Sequence, residues 1–417
     1  MLALSLLLGL AVQLQEARQT GLRAVEAMVR DTLKTVLAST KQDARIALVD
    51  IDEDTLRTVG AWPWSRSRLA DLAERLLDTH RVKRVVFDLV LPASGDAVGD
   101  ARLAALARQG LLVLAQAFDY ADRHNPARAG TPAGALDRPW HGPVAAATGH
   151  VANVDSLSDA RCVGNVGFRP DFDGRLRRLP LVTQWQGASY PTLAVAALQC
   201  SHGPDAALAA ARRVPLARDG TWELRFARTD RHYLSVPAAV ALDAPAIPEL
   251  ADRITLIASS ALGLSDRVAT PLSASAAGVT VHAVALTELL DIVDGATPTP
   301  PPPALLPTWL AASALLVWWA IARWRRLRAI AACSAVALAG WLGLALWTIR
   351  AGQPQVLTPA LWTYAALVGL FLPIDWSLSQ ARIRARTRLL SRYLAKPVLD
   401  ELLRGDTSDP LQPQLAE

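Results

Sequence analysis

Three long apolar runs lie near the C-terminus of the chain, at about 304–322, 329–349 and 357–374. Each holds roughly 18–21 residues, which is enough to cross about 30 Å of hydrocarbon as a helix. Between Gly295 and Ile374 there is no Asp, Glu or Lys, and the only charged residues are arginines. This pattern predicts three membrane-spanning helices in series.

The segment before these runs, about 41–294, alternates short β-branched runs with stretches of helical periodicity. That alternation predicts an α/β domain with a mixed, partly parallel sheet, followed by the C-terminal transmembrane helices. A strand at 45–51, a helix at 66–79 and a strand at 84–89 form a βαβ unit, so the two strands should be parallel. Further strands are expected near 111–117, 164–168, 176–184, 222–226 and 253–258, and helices near 190–200 and 278–292.

The N-terminal segment has its own pattern. Residues 1–13 are largely apolar but too short for an ordinary span. They are predicted to be an incomplete transmembrane segment or, alternatively, a signal peptide, although no basic region precedes them. Residues 14–40 then carry apolar positions at helical spacing, which predicts an amphipathic helix that leaves the membrane.

Arginines set the expected orientation of the spans. The first short loop carries four arginines, the second carries one, and the tail after the third run is again rich in arginine. The positive-inside rule places the first loop and the 375–417 linker helix and tail in the cytoplasm. The second loop and the 41–294 domain then face outward.

Composition narrows the class of protein. Of 417 residues, 52% are hydrophobic and 19% are charged, which excludes a wholly disordered chain and argues against an ordinary soluble enzyme. The net charge of +5 is too modest to indicate nucleic acid as a partner. Of the three cysteines, Cys162 and Cys200 would both lie in an oxidising compartment, so a disulfide between them is permitted but not decided by the sequence.

Several short motifs follow one another in a fixed order. They are Asp50-Ile51-Asp52, Trp62-Pro63-Trp64, Phe87-Asp88, Asp171-Phe172-Asp173-Gly174-Arg175-Leu176-Arg177-Arg178, Asp266, Thr270-Pro271 and 278–283. In this order, and with three spans behind them, the chain resembles the type-two CHASE family, the cyclase- and histidine-kinase-associated sensory extracellular domains. The resemblance covers about residues 40–295, and the spans extend it to about 375.

The resemblance implies a multi-pass protein of the bacterial inner membrane, with its sensor domain in the periplasm. Such a sensor binds an unidentified ligand and passes a conformational signal to a cytoplasmic output. The tail at 389–403 resembles the linker that precedes a nucleotide cyclase domain, yet the sequence ends at Glu417 without one. We therefore expect no enzyme activity in this chain. The alternative is the N-terminal sensory part of an adenylate or guanylate cyclase whose catalytic domain is missing here.

Candidate ligand contacts lie where strands end. Asp50, Asp52 and Asp88 would meet at the carboxyl edge of parallel strands, about 4.8 Å apart as neighbours. Alternatively, these aspartates cap helix N-termini and fix loops through hydrogen bonds. Trp62 and Trp64 would form an aromatic wall there or, alternatively, a lid over the core, and Asp266 and Thr270 would open onto the same edge.

Other chemistry is weakly indicated. Asp171 to Gly174 is similar to the start of a calcium loop, but arginines stand where later acids are needed, so a turn is favoured. His282 is expected to be a buried, hydrogen-bonded core residue. No metal site and no cofactor is predicted. The expected partners are the lipid bilayer, the unknown extracytoplasmic ligand, a second copy in a homodimer and a cytoplasmic signalling protein.

Overall fold

The computed structural model describes residues 20–39, 41–261, 267–323, 327–353 and 356–371, together with 373–374, 376–378, 380–381 and 384–385. These residues form two compact units. The first contains Gln19–Pro303 and Leu342–Leu357, and the second contains Ala304–Trp341 and the described residues from Thr358 onward. The predicted segment 1–13 and most of 375–417 lie outside the described residues.

The first unit supplies the strands and most of the helices. Its strands are β1 Ile46–Asp50, β2 Arg84–Phe87, β3 Leu112–Asp119, β4 Arg128–Ala129, β5 Ala145–Ala146, β6 Gly149–Val151, β7 Val163–Asn165, β8 Arg178–Pro180, β9 Val182–Trp185, β10 Ala188–Pro191, β11 Thr221–Glu223, β12 Leu234–Pro237, β13 Ile254–Ala258, β14 Arg267–Val268 and β15 Ala276–Ala277. Its helices are α1 Thr20–Leu37, α2 Glu53–Val59, α3 Arg66–Asp78, α4 Ala97–Arg108, α5 Leu193–His202, α6 Pro204–Arg213, α7 Ala238–Asp243 and α8 Gly278–Val293. Three apolar-run helices follow: α9 Leu305–Arg323, α10 Leu327–Arg350 and α11 Thr358–Ala366, the last continued by a π-helical turn, Leu367–Phe371.

The main sheet is mixed and partly parallel, which confirms the predicted fold class. Its strand order is β12-β1-β13-β2-β3-β6-β4, with β7 also paired to β3. The strands from β12 to β3 are all parallel, whereas β6 runs antiparallel to β3. The carboxyl ends of β12, β1, β13 and β2 therefore lie at one edge of the sheet.

One expectation about this sheet is wrong. β1 and β2 are parallel, as predicted, but they are not neighbours, because β13 lies between them and pairs with both. All five residues of β13 are buried. An apolar run buried on both faces belongs in the centre of a parallel sheet, and this central place separates the ends of β1 and β2.

The two faces of the sheet bury different helices. Ile46 and Leu48 pack with α5, α6 and α8 on one face, whereas Ala47 and Val49 pack with α3 and α4 on the other. This alternation follows from the two-residue period of a strand. A disulfide joins Cys162 to Cys200, with Cα atoms 6.2 Å apart, and so ties the start of β7 to α5.

Two described helices, Leu305–Arg323 and Arg328–Arg350, are long and apolar enough to cross a membrane. They fall on the first two predicted spans. In the third predicted span, the described helix α11 and its π-helical turn are shorter than a full crossing. The third span therefore stays a prediction.

Candidate functional site

Asp50 ends β1 and fixes the turn that follows β13. Its Oδ1 accepts a hydrogen bond from the Ser260 main-chain nitrogen at 2.8 Å, and its Oδ2 accepts one from Ser260 Oγ at 2.5 Å. Burial raises the pKa of this carboxyl, and the Ser260 hydrogen bonds oppose that shift only in part. Asp50 is thus a carboxylate held in place at the sheet edge in a partly dry environment.

The neighbouring Asp52 has a structural role. Its Oδ1 accepts a hydrogen bond from the Thr55 main-chain nitrogen at 2.8 Å, which makes it the N-cap of α2. A cap of this kind contributes about 1 kcal/mol to helix stability. The capping alternative therefore accounts for Asp52 without a ligand.

Asp88 follows β2 and belongs to a different neighbourhood from Asp50. Its Oδ1 lies 3.8 Å from Nε2 of His282 on α8. His282 is 5% exposed, and its Nδ1 has no hydrogen-bond partner among the described residues. The expectation of a buried histidine is confirmed, but the expectation that the whole ring is hydrogen-bonded is not.

The two tryptophans of the Trp-Pro-Trp motif pack on the protein core. Their ring centroids lie 6.0 Å apart at an angle of 50°. Trp64 is buried and its Nε1 donates to the Gly60 carbonyl at 2.9 Å, while Trp62 packs against the same hydrophobic cluster. This arrangement favours a lid over the core on the α3 side of the sheet.

The last two candidates come from the region after β13. Thr270 is buried, and its Oγ1 accepts a hydrogen bond from the Ser273 main-chain nitrogen at 3.1 Å. The Thr270 nitrogen in turn donates to the Ser273 carbonyl at 2.8 Å, so this residue closes a turn. Asp266 lies outside the described residues.

A cavity of about 270 Å³ opens beside Asp50, and we call it the sheet-edge cavity. It lies between the carboxyl ends of β1 and β13, the first residues of β12 with the segment before them, and the N-terminus of α8. The first turn of α8 has no side-chain cap, because its N-cap position is Ala277. The sheet-edge cavity is lined by Leu48, Val49, Asp50, Arg231, Tyr233, Ser235, Ala258, Ala277, Val279 and Thr280.

This cavity combines three features that bind polar groups. Asp50 supplies a carboxylate acceptor, and Arg231 supplies a guanidinium at the rim. The uncapped helix N-terminus offers main-chain N–H groups and the positive end of the helix dipole. Of the predicted residues that the structure describes, Asp50 lines this cavity. The others do not line it: Asp52, Trp62, Trp64, Asp88 and Thr270. Arg231 and Ser235 were not predicted as site residues because no strand was predicted at 234–237, although Leu234 and Val236 flank Ser235 in an alternating pattern.

A second cluster, which we call the polar clamp, holds α1 against the domain. It consists of Arg30, Asp31 and Lys34 on α1, and Arg175, Arg177 and Glu223 on the domain. Glu223 Oε1 accepts hydrogen bonds from Arg30 Nε at 3.0 Å and Lys34 Nζ at 2.9 Å. Asp31 accepts two from Arg177, at 2.9 and 2.8 Å, and one from Arg175 at 2.8 Å.

Charge pairing in the clamp outweighs burial for its central carboxylate. Burial alone would raise the pKa of Glu223, but Lys34 and Arg30 together hold it well below its usual range. For Lys34 burial dominates and lowers the pKa, with Glu223 opposing the shift. These groups are therefore stable as ions only while they remain paired with one another.

The Asp-x-Asp-Gly segment, Asp171 to Gly174, lies beside the clamp and contacts Arg177. The Gly174 nitrogen donates to the Asp171 carbonyl at 2.9 Å, so the segment forms the predicted turn. Arg177 then donates to Asp171 at 3.0 Å and to Asp173 at 2.7 Å. The hydrogen bond from Arg177 lowers the pKa of Asp173 to about 2. These carboxylates face arginine, and no group of metal-ligating residues occurs in the described part of the chain.

The clamp side of the domain also contacts the residues that follow α10. Arg30 Nη2 donates to the Gln353 carbonyl at 3.2 Å, and the Leu357 nitrogen donates to Glu26 Oε2 at 3.0 Å. Trp347 Nε1 donates to the Thr299 carbonyl at 2.9 Å. These hydrogen bonds form one junction within the first unit, which connects helix α1 and the rest of the domain to Trp347, Gln353 and Leu357.

Most of the chain matches the model of a known protein family. The family model described as CHASE2 domain matches residues 3–324, which is most of the chain and includes both the sheet-edge cavity and the polar clamp. CHASE2 is a family of sensory domains. Neither the curated proteins nor the solved structures give a match to this chain.

Proposed function

The chain belongs to the CHASE2 domain family, and we propose that it is a membrane-anchored sensor that binds a small ligand in the sheet-edge cavity. Residues 41–294 form the extracytoplasmic sensor domain, on the periplasmic side of a bacterial inner membrane. The spans pass the conformational signal to a cytoplasmic output protein, and the chain works as a homodimer. The single observation that carries this proposal is the position of the cavity at the carboxyl edge of parallel strands, where open α/β sheets bind ligands.

The cavity also favours a class of ligand. Its volume of about 270 Å³ suits a small molecule. Asp50 accepts hydrogen bonds, whereas Arg231 and the start of α8 favour negative charge. A small zwitterion, with an ammonium group toward Asp50 and an acidic group toward α8, matches all three features.

The polar clamp supports the transmission half of the proposal. A ligand shifts a protein between two conformations only by its different affinity for the two. The clamp joins the domain to α1, and Arg30 and Glu26 extend that connection to the residues after α10. A change in the domain that loosens the clamp therefore alters the chain segments next to the spans.

A second candidate function is the sensory part of a nucleotide cyclase. It rests on the resemblance of the tail at 389–403 to a cyclase linker. An open reading frame for a cyclase domain that continues in phase after codon 417 would favour it, and an immediate stop codon would disfavour it.

The ligand site is tested with a thermal-shift screen of zwitterionic amino acids and small carboxylates on the full chain in lipid nanodiscs. A compound that binds only the folded form raises the unfolding midpoint by mass action. The variant Ser235→Trp fills the cavity from its exposed rim and should abolish the shift. The matched control Val98→Trp, at a position on α4 that is 67% exposed and does not line the cavity, should keep it. A shift that persists in Ser235→Trp would place the ligand elsewhere.

A further inference from the structure

A second cavity, of about 360 Å³, lies at the C-terminal end of α8, whereas the sheet-edge cavity lies at the N-terminal end of that helix. We call the second cavity the Arg213 cavity. Its walls come from the end of α6, from β11 and the residues after it, from the last turns of α8, and from two chain segments next to the apolar helices. The lining residues are Arg213, Val214, Pro215, Trp222, Arg225, Glu288, Ile292, Thr297, Pro298, Thr299, Pro300, Ala351, Gly352 and Gln353. None of these residues lines the sheet-edge cavity.

Two of the segments that line this cavity are close along the chain to apolar helices. Ala351 directly follows the last residue of α10, and Pro300 precedes α9 by five residues. A Pro-rich stretch of that length spans about 16 Å when fully extended. In the proposed topology both segments lie on the extracytoplasmic side, next to the ends of two spans.

The two arginines of the cavity differ in how far their charge is already matched. Arg225 lies 3.2 Å from Asp291 and 3.5 Å from Glu288. Arg213 is exposed and donates to the Ile292 carbonyl at 3.2 Å, and it makes no salt bridge within the described ranges of the chain. Arg213 therefore brings a positive charge that is not matched by a carboxylate among those residues.

The remaining lining is amphipathic. Thr297 Oγ1 is buried and lacks a hydrogen-bond partner among the described residues. A buried hydroxyl in that condition is costly unless a ligand or water satisfies it. Trp222, Ile292 and Pro298 give the cavity apolar walls beside these two polar groups. A guanidinium and a hydroxyl on an apolar wall suit an anionic oxygen group attached to an apolar body.

We propose that the Arg213 cavity binds the phosphate group of a phospholipid headgroup from the adjacent leaflet, with Arg213 and Thr297 as its contacts. A lipid headgroup and free phosphate share one feature: a phosphate oxygen of either accepts hydrogen bonds from Arg213 and Thr297. The apolar walls and the position beside two spans favour the lipid as the source. This site is separate from the ligand site of the sensor, so either one can exist without the other.

The experiment uses the detergent-solubilised full chain and three probes: dioctanoyl-phosphatidylglycerol, dioctanoylglycerol and inorganic phosphate. The first should raise the unfolding midpoint by at least about 2 °C. Dioctanoylglycerol, which lacks the phosphate, and inorganic phosphate at the same concentration should not. The variant Arg213→Gln should lose the shift, and Arg212→Gln, an exposed neighbour outside the cavity lining, should keep it.

A second variant distinguishes the loss of lipid binding from misfolding of the Arg213→Gln protein. Thr297→Phe fills the cavity from a loop without removing a charge, and it should also abolish the lipid shift. Ser235→Trp in the sheet-edge cavity should leave that shift unchanged, so failure of the sensor-ligand proposal is distinguishable from failure of this one. An equal shift with Arg213→Gln, or an equal shift produced by dioctanoylglycerol or by inorganic phosphate, would overturn the proposal.

Discussion

Three aspartates at or just after the ends of β1 and β2 show how neighbouring groups decide the role of one residue type. Asp52 accepts a main-chain N–H at the start of α2, and Asp88 lies beside His282. Asp50 is held by Ser260 and lines a cavity. An aspartate at a strand end can therefore cap a helix, lie beside a buried histidine or line a cavity as a candidate ligand contact. Which of these it does depends on the element that packs next to that strand end.

The first prediction concerns the pH dependence of Asp50. Burial raises its folded pKa above the unfolded value. A group with a raised folded pKa binds its proton more tightly in the folded state, so its stabilising effect is complete below the unfolded pKa and is lost as pH rises through the folded pKa. Asp50→Asn, which stays neutral, should therefore gain stability relative to the wild type as pH rises through the acid range.

The measurement is the unfolding midpoint of both proteins in detergent from pH 4 to pH 7. The variant's advantage should grow with pH and then level off. Asp52→Asn serves as the control for losing a carboxylate at the same sheet edge. Asn still caps α2, so only the favourable interaction of the negative charge with the helix N-terminus is lost, and the variant should be slightly less stable than the wild type at neutral pH. A wild type that becomes more stable than Asp50→Asn as pH rises would contradict the assignment.

At the scale of elements, strongly patterned segments were predictable and their arrangement was not. The β-branched runs at 46–50 and 254–258 identify strands because local pattern and burial agree there. The insertion of β13 between β1 and β2 depends on pairing across about 200 positions, for which one sequence carries no local signal. For the same reason the sequence did not show that Asp50 and Asp88, although they lie at the same edge of the sheet, are separated by β13.

Helix α1 shows a different limit. Its apolar spacing correctly predicts a helix, yet Met28 and Val36 are 62% and 71% exposed while Arg30, Asp31 and Lys34 are buried. Periodicity assumes that apolar residues supply the buried face. Here the opposing charges of Glu223 and Arg177 make a polar face the docked one, and those partners lie more than 140 positions away.

The second prediction tests this docking. Glu223→Gln removes the negative charge shared by Arg30 and Lys34 and leaves these buried cations without a counter-charge. Breaking a buried pair from one side typically costs about 3–5 kcal/mol. We expect a marked fall in the unfolding midpoint and faster tryptic cleavage within α1, measured on the full chain in detergent.

The control for this variant is Asp54→Asn, which removes an exposed ion pair to Arg57 on α2. An exposed pair contributes between about 0 and 1 kcal/mol, so the control should behave nearly as the wild type. If Glu223→Gln falls within the range of that control, the clamp does not hold α1 and the proposed route of transmission fails.

At the scale of the whole molecule, the residues that follow α10 bear on the topology of the membrane part. Arg225 Nη1 donates to the Arg350 carbonyl at 3.4 Å, and Arg30 reaches the carbonyl of Gln353. The loop after α10 therefore belongs to the same compact unit as the α/β domain. In the proposed topology this loop and the α/β domain lie on the same outer side of the membrane, which is what the positive-inside rule predicts from the arginine distribution.

The last prediction tests that topology directly. A reporter enzyme that is active only in the periplasm is fused after Gly295, after Arg328 or after Gly352. Four arginines between 323 and 328 should hold the loop between α9 and α10 in the cytoplasm, whereas the flanking positions carry few. We expect activity after Gly295 and Gly352 and none after Arg328, with a reporter active only in the cytoplasm giving the reverse pattern. Periplasmic activity after Arg328 would overturn the orientation, and equal activity at Arg328 and Gly352 would mean that α10 does not cross the membrane.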